Sequence, residues 1–152
     1  MPRQKNKVRV PPAASGGGSA FAELLREKGY EVTELLFNLN SGDSRNYVYQ
    51  TAVASAPAFD AVVFGEWELI KRYVNWGDQW QEELIGALYR ANSALTVIAW
   101  HNPAATVRCS QAPTFLVAYG NTPAQVAAVA AVLVGEQSPT GSLPISLLES
   151  GE

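Results

Sequence analysis

The sequence predicts an α/β domain, a three-layer α/β/α sandwich built on a mostly parallel sheet of about six strands. Short β-rich runs alternate along the chain with stretches of helical periodicity, as in stacked βαβ units whose helices cover both faces of a sheet. The runs Ala61 to Gly65 (A-V-V-F-G) and Leu95 to Trp100 (L-T-V-I-A-W) are almost wholly apolar, which suits strands buried on both sides. At 152 residues the chain has the length of one domain around one core.

Each element has its own local signal. Lys7 to Val10 is a weak first strand, and Pro11 to Ser19 is a turn-rich loop holding Gly16, Gly17 and Gly18. A helix starts near Ser19, with Phe21, Leu24, Leu25 and Lys28 at helical spacing and Gly29 as a left-handed stop. Val32 to Phe37 reads as the next strand. Asp43 or Ser44 can cap a second helix that runs to about Ala56, with Tyr47, Ala52 and Val53 among its expected buried residues and Pro57 ending it.

Ala61 to Gly65 is the expected central strand. Glu66 to Gly77 mixes acids, bases and aromatics without a sustained period and reads as loop or irregular helix. Asp78 and Gln81 fit a capping box, after which Trp80, Leu84, Ala87, Leu88 and Ala91 share one helical face. Leu95 to Trp100 and Thr114 to Ala118 are further strands. Thr122 followed by Pro123 starts a last helix with Val126, Val129, Ala130 and Leu133 on one face, and Gly135 stops it. Leu143 to Leu147 is expected to be the sixth strand. No internal repeat is present. The expected division is 1–17 as tail, weak strand and glycine loop, 18–148 as the α/β domain, and 149–152 as a short tail.

Composition narrows the function. The net charge of -3 argues against a phosphate-tracking surface, since non-specific nucleic-acid affinity needs many Lys and Arg. Only Arg3, Lys5, Lys7 and Arg9 cluster, at a polar terminus. Charged residues make up 16% of the chain, below the roughly 25% of an average soluble protein, which hints at a surface covered by a partner domain or subunit. Cys109 is the only cysteine and His101 the only histidine, so neither an internal disulfide nor a thiolate metal cluster is expected. No apolar run approaches the roughly 18 residues that span a bilayer, and Met1 to Val10 lacks a signal-peptide core. The expectation is a soluble, cytoplasmic protein or a piece of a longer one.

Several residues carry possible chemistry. Glu66 and Glu68 follow a buried strand, at the edge where open α/β sheets place ligands, and glycoside hydrolysis needs two carboxylates about 5 to 10 Å apart. The plainer reading of both is a solvated loop acid. His101 also lies just past a strand end, where a lone histidine could act as general acid. Asp60 and Asp78 are the acids that could approach it in space; a hydrogen-bonded loop residue is the simpler alternative. Trp67, Tyr73 and Trp76, with Trp80, could stack on a sugar ring or fill an interface, or cover the sheet edge. Gly16 to Ser19 could hold an anion at a helix N-terminus, but neither G-x-G-x-x-G nor a P-loop is completed. No cofactor is expected. The absence of a G-x-S-x-G elbow sets serine hydrolysis aside.

The segment from Ala112 to Leu147, A-P-T-F-L-V-A-Y-G-N-T-P-A-Q-V-A-A-V-A-A-V-L-V-G-E-Q-S-P-T-G-S-L-P-I-S-L, resembles the closing part of family 3 glycoside hydrolases. The matching positions are Tyr119, Pro123, Leu133, Gly135, Glu136, Pro139, Gly141, Leu143 and Pro144. Phe59 to Gly65 and Val97 to Pro103 agree with two upstream strands of that family's C-terminal domain. The likeness, nearest to the bacterial β-N-acetylglucosaminidase branch, spans about residues 18 to 148. Gly65-Glu66 and Gly77-Asp78 partly echo a loop that carries the general acid in the plant and broad-specificity branch. The spacing is longer here and the central tyrosine is not aligned.

The resemblance implies an accessory C-terminal domain that packs against a catalytic (β/α)8 barrel supplying nucleophile and general acid. Such a barrel needs at least about 200 residues, more than this chain holds, so the chain is expected to be inactive alone. Its expected partners are that barrel domain or another subunit, with carbohydrate as the ligand class. The alternative is a stand-alone sugar-binding or small-ligand-binding α/β module.

Overall fold

A computed structural model describes residues 7–10, 17–37, 41–66, 76–101, 103 and 112–143. They form an α/β sandwich. Five strands, β1 (Lys7–Val10), β2 (Glu31–Glu34), β3 (Ala61–Glu66), β4 (Leu95–Ala99) and β5 (Thr114–Val117), make one sheet in the order β2-β1-β3-β4-β5. Every pairing is parallel. Of the expected sixth strand, Leu143 lies outside regular structure and the remainder lies outside the described residues.

Helices α1 (Gly17–Glu27), α2 (Gly42–Ser55), α3 (Trp76–Ala91) and α4 (Pro123–Leu133) connect and flank the strands. Side-chain alternation divides the core into two layers. Val62 and Phe64 of β3, with Leu95 and Val97 of β4, pack beneath Val48 and Ala52 of α2 and Leu84, Ile85 and Leu88 of α3. Val63 and Ile98 point the other way, meeting Phe21 and Leu25 of α1 and Val126, Val129 and Ala130 of α4. The apolar runs at 61–65 and 95–100 are therefore apolar because both of their faces are covered.

The two helices on the second layer end alike. After α1, Tyr30 N–H donates to Leu25 O (3.1 Å) and Gly29 N–H to Arg26 O (2.9 Å), with Gly29 at φ 91°. After α4, Glu136 N–H donates to Ala131 O (2.9 Å) and Gly135 N–H to Val132 O (3.1 Å), with Gly135 at φ 79°. Both are Schellman stops, and the left-handed residue in each is the glycine at which the sequence places the stop. A Lys28–Glu136 ion pair joins the two ends.

Several local expectations change. Helix α3 begins at Trp76, ahead of the expected Asp78 cap, and β2 covers Glu31–Glu34 where Val32 to Phe37 is expected. Helix α1 begins at Gly17, so Gly17 and Gly18 lie in its first turn and not in the preceding loop. The cap of α2 is Ser41, whose hydroxyl accepts from Ser44 N–H (3.3 Å), and Asp43 falls in the first turn, where a negative charge suits the helix dipole. Helix α2 buries the i, i+4 pair Val48 and Ala52, a stripe continued by Ala56 of the following 3-10 turn; Tyr47 is left 65% exposed. Moving the buried stripe by one residue rotates a helix by about 100°, which takes Tyr47 from the sheet to solvent.

Asn92 ties the far end of the first layer together. Its amide Nδ2 donates to Ala56 O (3.0 Å) and Phe59 O (2.8 Å), and its Oδ1 accepts from Ala94 N–H (3.0 Å). Ala94 O in turn receives Val62 N–H (2.9 Å), starting the β3 ladder. Asn92→Ala should destabilise the fold by about 2–3 kcal/mol, at roughly 1 kcal/mol per bond lost. Asn92→Asp should cost at least as much, because its carboxylate would face two carbonyl oxygens. Urea midpoints at unchanged m-value would check both; a midpoint shift near zero for either would refute this role.

Candidate functional site

The strand order places the change of winding direction between β1 and β3, since the chain moves from β1 outward to β2 and then crosses to β3 on the other side. In open α/β sheets the crevice at such a point, beyond the carboxyl ends of the strands, is where ligands bind. Glu66 ends β3 at that end of the sheet. His101 follows β4, and Tyr119 follows β5. The β3–β4 register sets Glu66 opposite Ala99, and the β4–β5 register sets Ala99 opposite Val117. Glu66, His101 and Tyr119 thus come from three adjacent strands to one end of the sheet.

Their environments differ. Glu66 is 3% exposed, the only buried acid among the described residues. Strand β3 runs one residue longer than its apolar pattern, so Glu66 completes the ladder instead of standing in a solvated loop. Counting in twos from Val62 and Phe64, it falls on the α2–α3 side of the sheet. Gln81 of α3, 1% exposed, is the other buried polar side chain described. His101 is exposed. Glu66 and Gln81 each interact with a neighbouring group, as buried polar residues must, and exposed His101 does so too.

Asp60 does not join this group. It precedes β3, at the amino end of the strands, whereas His101 lies beyond the carboxyl end of β4. At about 3.3 Å per strand residue the two are on the order of 20 Å apart. Asp78 and Trp76 lie in the first turn of α3, and nothing of their side chains is described. Trp67, Glu68 and Tyr73 lie outside the described residues.

Tyr119 carries no chemical signal in the sequence. Its backbone has φ 58°, the one positive φ of a non-glycine residue among those described, and the left-handed region costs such a residue about 1–2 kcal/mol. The loop around it is tightly held. Ala118 N–H donates to Ala99 O (2.9 Å), prolonging the ladder beyond β5. Gln125 closes a capping box on Thr122, accepting from Thr122 N–H (3.0 Å) and Oγ1 (2.8 Å), while its Nε2 donates to Ala118 O (3.4 Å). A Cβ on Gly120 would come within 2.4 Å of Gln125 Oε1, so a larger residue there would have to displace the Gln125 side chain from its cap. The result is a 47% exposed tyrosine on a rigid turn, beside an apolar cleft of about 460 Å³ lined by Val117, Val132 and Leu143 among others.

Among the described residues, some of the exposed large apolar side chains lie toward the same end of the sheet. Leu36, 58% exposed, follows β2, and Tyr47 stands in the first half of α2, which begins there. Tyr89 stands near the opposite end of α3. No helix among the described residues is long and apolar enough to cross a membrane.

No protein-family model and no curated protein matches the sequence. Five solved chains match the structure. One is a glycoside hydrolase family 3 β-N-acetylglucosaminidase from Paenibacillus sp. str. FPU-7, with a TM-score of 0.71 and 23% identity over 95% of this chain and 28% of that one. Another is a fungal multi-domain family 3 β-N-acetylglucosaminidase with a GCN5-related glucosamine N-acetyltransferase region, with a TM-score of 0.63 and 18% identity over 90% of this chain and 15% of that one. These identities establish a shared fold. The chain spans little more than a quarter of the Paenibacillus protein.

Proposed function

We propose that this chain is the accessory α/β domain of a family 3 glycoside hydrolase of β-N-acetylglucosaminidase type, acting in the cytoplasm and packing against a catalytic barrel that the chain does not contain. The observation that carries this reading is the fold likeness over 95% of the chain to only 28% of a longer enzyme. The Tyr119 to Leu147 segment, which resembles the same family, supports it. On this reading residues 18–148 correspond to the family's domain, with β1 adding a strand from the residues before it. Glu66 and His101 then stand at the end of the sheet that meets the barrel, where they shape the sugar site without supplying its nucleophile. Trp67, Glu68, Tyr73 and Trp76, which follow Glu66 in the sequence, are proposed as further contributors to that sugar site or to the interface.

The barrel side is favoured as the carboxyl end of the sheet because Leu36, Tyr47 and Tyr119 are all exposed there. Large apolar side chains gathered at one end of a domain mark a surface that a partner covers.

The test is hydrolysis of 4-nitrophenyl N-acetyl-β-D-glucosaminide by the purified chain alone and by the chain co-expressed with the barrel encoded in its gene or beside it. The chain alone should show no turnover above background, and the pair should co-purify and turn over. Hydrolysis by the isolated chain would sink the proposal, as would the absence of any barrel that binds it. Calorimetric heat on adding N-acetylglucosamine to the isolated chain would instead favour a stand-alone binding module.

A further inference from the structure

Building on the accessory-domain reading, we infer that Tyr119 is the aromatic anchor through which this domain grips the barrel. A left-handed backbone is unfavourable for a side chain with a Cβ, and tyrosine lacks the short polar group that eases it for asparagine and aspartate. Glycine would satisfy the turn better, yet a tyrosine stands there with φ 58° and 47% of its surface exposed. Among the described residues Tyr119 is absent from both buried clusters, so the core contacts described do not account for the conformational cost. Strain that the surroundings enforce is characteristic of residues with a binding role.

The turn also gives the ring what an interface anchor needs. The Ala118–Ala99 and Gln125–Ala118 hydrogen bonds and the Thr122–Gln125 capping box fix the backbone on both sides of Tyr119, so little freedom is lost on association. Tyrosines on rigid supports dominate many interfaces.

The surroundings favour a protein surface over a sugar ring. The adjoining cleft is lined by Val117, Val132 and Leu143, the last 40% exposed, and its polar side chains besides Tyr119 are Gln125 and Ser142. The Gln125 amide is already engaged in the helix cap. A pyranose would need free hydrogen-bonding groups around the ring. The fold's occurrence as 28% of a longer chain supplies a partner surface, and Leu36 and Tyr47 extend the exposed apolar character along the same end.

The experiment pairs two readouts on Tyr119→Gly. In the isolated chain the Tm should rise by about 2–4 °C as the strain is released. In the complex with the co-expressed barrel, affinity measured by titration should fall by about tenfold or more, while Tyr119→Phe, which keeps the ring, should stay near wild type. Unchanged affinity for Tyr119→Gly overturns the inference, and so does a lowered Tm, which would make the ring a structural element of the domain. A raised KM for chitobiose with intact association would place the ring against sugar and also overturn it. If the wild-type chain binds no barrel, the accessory-domain reading fails and this inference with it; if wild type and Tyr119→Gly bind equally, the inference alone fails.

Discussion

Phe64→Ala should lower the stability of this chain by about 3–5 kcal/mol, the range seen when a buried phenylalanine is truncated. Phe64 is fully buried in β3, the middle strand of the five, beneath α2 and α3. Its ring stacks on Phe37 at 6.1 Å and an interplanar angle of 6°, and Phe37 in turn meets Trp80 of α3 edge-on at 5.1 Å. Removing the middle strand's contribution to this aromatic series leaves a cavity bounded by a sheet that cannot shift without breaking its ladders to β1 and β4. Little relaxation is therefore available, and the cost should fall in the upper half of the range. At this chain length that corresponds to a Tm drop of roughly 10 °C or more. Phe64→Leu should recover more than half of the loss. A Tm within about 3 °C of wild type for Phe64→Ala would contradict the assignment of this residue to the core.

The second large effect is expected on the opposite layer. Trp100, 3% exposed, follows β4 directly and packs edge-on against Phe21 of α1, with ring centroids 5.7 Å apart and planes at 81°. Trp100→Ala should cost about 3–5 kcal/mol, and the damage should concentrate in α1. Amide hydrogen exchange in residues 18–27 should quicken more than in α2 or α3; uniform quickening would show that Trp100 does not hold α1. Because Phe64 and Trp100 sit in separate clusters on the two faces of the sheet, their effects should add to within about 0.5 kcal/mol in a double substitution that still folds.

Much of the fold was legible from residue types alone. The central strands were readable because burial on both faces leaves a continuous apolar run, and observed strands 61–66, 95–99 and 114–117 agree with expectation within a residue. Gly29 and Gly135 were readable as stops because a left-handed position after a helix strongly favours glycine. Thr122 with Pro123 and Gln125 marked the start of α4 by the same kind of local chemistry. The frame of α2 was less legible. Apolar residues lie on several sides of that helix, so its period does not choose between Tyr47 and Val48; the position of the sheet does.

The site was readable only in part. That acids and a histidine follow strand ends is visible in sequence, and the structure brings Glu66 and His101 to the same end of the sheet. Glu66 looked like a loop acid because Gly65 closes the apolar run, whereas its burial comes from the ladder to β4 continuing one residue further. Tyr119 stood out in sequence only as a position of the family resemblance; its strained backbone did not, since a positive φ at a non-glycine residue leaves no mark in composition or periodicity.

By itself the sequence determined the α/β class, the alternation of strands and helices, and the helix starts and stops, because each depends on residues within a few positions of one another. The strand order β2-β1-β3-β4-β5, the burial of Glu66, the exposure of Tyr47 and the outward strain of Tyr119 were decided only by the tertiary structure. Each depends on which distant segments lie alongside, and short-range pattern holds no record of that.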